Sequence, residues 1–104
     1  MNEPTFADGP PMPLMVEGLI DATMLRQLFS DLASAATVTD VREKGGPRGY
    51  ALPTELTPDL ARDRLLSGLT RAVQVRYRFD SHEWTDTIVR MPTGYRVVRC
   101  RHDS

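Results

Sequence analysis

Residues 73–101, VQVRYRFDSHEWTDTIVRMPTGYRVVRCR, constrain this chain more than any other stretch. Apolar and polar side chains alternate along most of it, the period of strands with one buried face. Two turn signals divide it into three strands. Asp80-Ser81, between Phe79 and His82, makes a two-residue hairpin loop. That pairing sets Tyr77 opposite Trp84, Val75 opposite Asp86 and Val73 opposite Ile88. On the other face it sets Arg78 opposite Glu83, an opposite-charge pair that supports the register.

The second turn holds Pro92, Thr93 and Gly94. Pro suits the first position of a turn, and Gly the left-handed position of a three-residue hairpin loop. Such a loop places Met91 opposite Tyr95, Val89 opposite Val97, Ile88 opposite Val98 and Asp86 opposite Cys100. A two-residue Thr93-Gly94 loop reverses the last strand and turns Arg99 and Arg101 into the core. Since a one-residue slip inverts every side chain, the arginines favour the three-residue loop. The inner face then holds Val73, Val75, Tyr77, Phe79, Trp84, Asp86, Ile88, Val98 and Cys100.

Two helices precede the meander. Asp21 is a good N-cap, Ile20 before it can staple onto Leu25, and Leu25, Leu28, Phe29, Leu32 and Ala36 follow at helical spacing. The second helix begins with Thr57 as N-cap, Pro58 at its first position and Asp59 at the positive end of the dipole. Leu60, Leu65, Leu66 and Leu69 give it an apolar face, and Gly68 is placed to end it. Between the helices, TVTDVREKGGPRGYAL reads as two strands joined at Gly45-Gly46-Pro47. Those glycines match neither the dinucleotide fingerprint nor the P-loop, and they lead to another strand rather than a helix. Residues 1–17 are acidic, interrupted by four prolines and without apolar periodicity, so they read as a flexible tail ahead of one domain over 18–104. The expected class is α+β: two helices on one face of an antiparallel sheet, in the order α-β-β-α-β-β-β.

At 104 residues there is room for one core. A single cysteine, Cys100, rules out an internal disulfide. Without a basic leader or a long apolar run, a cytoplasmic protein with no membrane span is expected. The formal net charge of −1 conceals an asymmetry, because residues 57–104 carry nine basic and six acidic side chains. All but one of the 13 basic residues are Arg, suited to bidentate anion contacts and stacking.

Three functions compete. On the outward face of the meander, Arg76, Arg78, Arg99 and Arg101 lie beside an apolar strip of Val89, Met91, Tyr95 and Val97. Apolar residues with an Arg-bearing rim suit a protein partner or a second copy of the chain. The same arginines suit single-stranded nucleic acid, although Tyr95 is the one stacking residue available. Third, Asp86, Cys100, His82 and His102 are residue types that bind zinc or support thiol chemistry. They lack paired metal-ligand spacing, and Asp86 beside Cys100 would suppress a thiolate. Asp86 reads better as a structural acceptor for an Arg or a helix N-terminus, since a buried charge needs a partner. The expectation is a non-catalytic module that binds a protein, with no cofactor, no metal and no catalytic residue.

Overall fold

The computed structural model describes residues 15–44 and 56–102. They form β1 (Met15–Ile20), α1 (Ala22–Ala35), β2 (Thr37–Lys44), α2 (Pro58–Ser67), β3 (Ala72–Phe79), β4 (His82–Met91) and β5 (Gly94–His102). All five strands pair antiparallel in the order β1-β5-β4-β3-β2, and both helices cover one face. The class is the α+β arrangement expected. One strand more than expected precedes α1, and the second strand foreseen between the helices lies at residues outside those described. Residues 1–14 of the expected tail lie outside them too, whereas 15–17 belong to β1. No helix among the described residues is long and apolar enough to cross a membrane.

The helices begin and end where their caps dictate. Asp21 Oδ1 accepts the Met24 N–H at 2.8 Å, and Leu25, Phe29 and Leu32 bury the resulting stripe. The β-branched run Thr37-Val38-Thr39 then favours strand. Thr57 Oγ1 accepts the Leu60 N–H at 3.1 Å, Pro58 opens α2, and Gly68 closes it at φ 81°. Only Leu65 and Ala61 of α2 are fully buried. Leu66 is half-buried, while Leu60 and Leu69 of the expected apolar face are exposed. Because β1 and β2 occupy opposite edges, α1 carries the chain across the inner face of the sheet.

The β3–β4 register is the one read from the sequence. Asp80 and Ser81 have φ of 55° and 65°, a turn whose twist matches its strands. The β4–β5 register differs from the expectation by one residue. Pro92 and Thr93 alone form the loop, so Met91 pairs with Gly94, Ile88 with Val97, Asp86 with Arg99 and Trp84 with Arg101. Gly94 is not left-handed. Its role is room, since a Cβ there would sit 2.5 Å from the Ile20 carbonyl oxygen at the end of β1.

This register turns Tyr95 and Val97 inward, each 9% exposed, and Val98 and Cys100 outward. Burying a Tyr–Val pair in place of Val–Cys favours it by about 1–2 kcal/mol. The inward Arg99 has a partner in Asp86.

Candidate functional site

Two regions hold the polar chemistry: a buried cluster around Asp86 and the open outer face of the sheet. Asp86 sits on the central strand, pointing under the helices, with no solvent exposure. A carboxylate in that place needs its lone pairs occupied. Its neighbours across β5 and β3 supply the donors. Arg99 donates from Nε to Oδ1 and from Nη2 to Oδ2, both at 2.8 Å, a bidentate fork. Tyr77 donates its hydroxyl to Oδ1 at 2.9 Å. The Arg99 guanidinium also lies 5.9 Å from the centre of the Tyr77 ring, within cation–π range. The Arg99 side chain is 40% exposed, so the cluster runs from solvent to core.

Burial pushes the Tyr77 hydroxyl well above its ordinary range, and the Asp86 charge pushes it further. Its hydrogen bonds to Asp86 raise Arg99 against the opposing effect of burial. Tyr77 is therefore a fixed donor and Arg99 a fixed cation. The two Asp86 oxygens accept three hydrogen bonds, and among the described residues no buried side-chain nitrogen or oxygen lacks a partner. In this cluster Asp86 is the acceptor, with Arg99 and Tyr77 as the donors.

The residues of the alternative metal or thiol site are not brought together. Asp86 points inward, while Cys100 pairs with Thr85 on the outer face. His82 is exposed at the end of β4, and His102 Nε2 lies 2.6 Å from Thr85 Oγ1, also on the outer face. Among the described residues no three of His, Cys, Asp and Glu gather in a way that could hold a metal. A second partly buried ion pair, Glu43 with Arg64, ties β2 to α2. Strand alternation on β2 signalled an inward Glu43, but the sequence did not name its partner.

Of the residues expected on the outer binding surface, Arg76, Arg78, Val89 and Met91 are there. Tyr95, Val97, Arg99 and Arg101 are not, because the two-residue loop reverses their strand. The outer face reads across the sheet in rows. One row runs Leu19, Arg96, Val89, Ala72, Lys44; the next runs Glu17, Val98, Thr87, Gln74, Arg42. A third contains Cys100, Thr85, Arg76 and Asp40, and a fourth His102, Glu83, Arg78 and Thr37. Short side chains and Gln74 floor the centre, Arg76 stands among them on β3, and the other charges stand at the rim. Arg96 pairs with Glu17, Arg78 with Glu83 and Arg42 with Asp40, while Arg76 and Lys44 carry no ion pair among the described residues.

Comparison with protein-family models, with curated proteins and with solved structures gives no match.

Proposed function

We propose that the chain is a small, non-catalytic binding module of the cytoplasm that contacts another protein through the open face of its sheet. The observation that carries this reading is the outer face itself, to which neither helix is applied. Val89, Val98, Cys100, Thr85 and Thr87 form a low floor, and Leu19 and Met91 add exposed apolar surface at its margin. A centre of short apolar and hydroxyl side chains inside a mostly charged rim suits a protein contact. Five strands at about 4.8 Å spacing and four rows of outward residues give a floor on the order of 400 Å², before the rim side chains are added. That size suits a transient contact at the small end of specific interfaces.

Nucleic acid is the weaker reading. Two of the four arginines counted for it face inward, and no Phe, Tyr or Trp side chain stands on the outer face of the described strands to stack a base. Arg42, Lys44, Arg76, Arg78 and Arg96 still outnumber Glu17, Asp40 and Glu83 there, but three of the five cations are ion-paired. Enzyme chemistry is weaker still, because Asp86 and Cys100 occupy opposite faces.

The test is site-specific photo-crosslinking in cells from Thr87, at the centre of the face, with Leu60 on α2 as control. A discrete protein adduct at Thr87, absent at Leu60 and lost on Val89→Asp, is expected. Adducts to nucleic acid alone, no adduct, or equal labelling at both positions would overturn the proposal.

A further inference from the structure

We propose that a second copy of this chain adds, in antiparallel register, to the edge of β1 that no other described strand pairs, joining two five-stranded sheets into one. This goes beyond the open-face contact, because the edge lies outside the rows described above.

The two edges of the sheet are built differently. The β2 edge is broken by a bulge between Val38 and Asp40 and carries Asp40, Arg42, Glu43 and Lys44. Bulges and charges are the devices that keep an edge from pairing with another chain. β1 has neither. Its pairing with β5 runs without a shift from Met15 to Ile20, and its one charge, Glu17, is held by Arg96 on the neighbouring strand. Leu19 beside it is 60% exposed.

On the side of β1 away from β5, no described strand pairs with it.

Symmetry then limits the register. A twofold axis perpendicular to the sheet keeps both open faces on one side and pairs outward residues with outward residues. One such register sets Glu17 against Glu17 of the second copy, a like-charge contact that disfavours it. The next centres Gly18 on the axis, with Glu17 opposite Leu19 of the second copy and Val16 opposite its Ile20. The product is a bivalent platform carrying two open faces side by side.

Leu19 gives a test by sign, because its exposure spares the fold. Sedimentation velocity on the full chain from about 1 to 200 µM should show a monomer–dimer equilibrium. Leu19→Glu places like charges against Glu17 twice and should raise the dissociation constant about tenfold, whereas Leu19→Lys should leave it unchanged or lower it. Circular dichroism melts check that both variants fold. A chain monomeric throughout, or a dimer that answers equally to both substitutions or to neither, overturns the inference. A dimer indifferent to Leu19 but broken by Val89→Asp overturns the edge pairing and supports the open face. A monomer that still crosslinks at Thr87 overturns the edge pairing alone.

Discussion

Removing Arg99 should cost more than removing its partner Asp86, although both changes delete the same ion pair. The burial of the two groups is the reason. Asp86 is wholly inaccessible, and two of its three donor contacts come from Arg99. Arg99→Ala leaves a buried carboxylate with only the Tyr77 hydroxyl, the situation for which losses of about 3–5 kcal/mol are typical. Asp86→Ala removes the buried charge itself. The Arg99 head is already 40% exposed and can turn to water, so the chief orphan is the Tyr77 hydroxyl, and the loss should be about 1–3 kcal/mol. Asp86→Asn keeps an acceptor and should lose less than Asp86→Ala. Urea unfolding with linear extrapolation reads these values directly, and an unchanged slope confirms that only the native state was altered. A whole domain of this size is stable by roughly 5–15 kcal/mol, so Arg99→Ala is best measured in the cold, near maximum stability. An exposed surface pair would instead give equal losses below about 1 kcal/mol from either side. That outcome, or a larger loss from Asp86→Ala, would refute the reasoning.

Two further outcomes follow from the same neighbourhood and from the β1 junction. The unfolded chain gives up the Tyr77 proton near its ordinary pKa of 10.0, while burial and Asp86 hold that proton in the folded state. Stability contributed by Tyr77 is therefore complete below pH 10 and falls above it by about 1.4 kcal/mol per unit. Urea midpoints taken across the alkaline range should show this decline, and Tyr77→Phe should flatten it. Gly94→Ala drives a Cβ against the Ile20 carbonyl and should cost about 1–3 kcal/mol, whereas Gly18→Ala meets open space and should change the stability of the fold by no more than about 0.5 kcal/mol. Thermal melts of the two variants at equal concentration compare them.

Local chemistry was legible in the sequence wherever a few neighbouring residues decide the outcome. Asp21 and Thr57 as caps, Pro58 at the helix start, Gly68 at its end and Asp80-Ser81 at the hairpin act through backbone geometry within four residues. β1 was not legible, because its strand character comes from pairing with β5, some eighty residues away. In isolation, MVEGLI shows little beyond a glycine and a charge following a proline-rich stretch. The fate of Gly94 was hidden for the same reason. The carbonyl that requires it belongs to Ile20, which no local reading connects to that turn.

The misplaced register of β5 shows how charge should be read in a sheet. Taken singly, Asp86 inside is an anomaly and Arg99 inside is another, so each by itself argues against the register containing it. Taken as a cross-strand pair, they argue for it. The three-residue loop would leave Asp86 opposite Cys100, with a lone tyrosine hydroxyl as donor and Arg99 turned to solvent. By the costs above, that arrangement is worse by about 3–5 kcal/mol, before the exposure of Tyr95 and Val97 adds to it. A one-residue slip in this sheet is therefore penalised on both faces at once: apolar surface leaves the core and a carboxylate loses its partner. An apolar residue at position 86 would have made the two registers closer in energy. The buried charge that looked misplaced in the strand thus penalises the wrong alignment of the strand beside it.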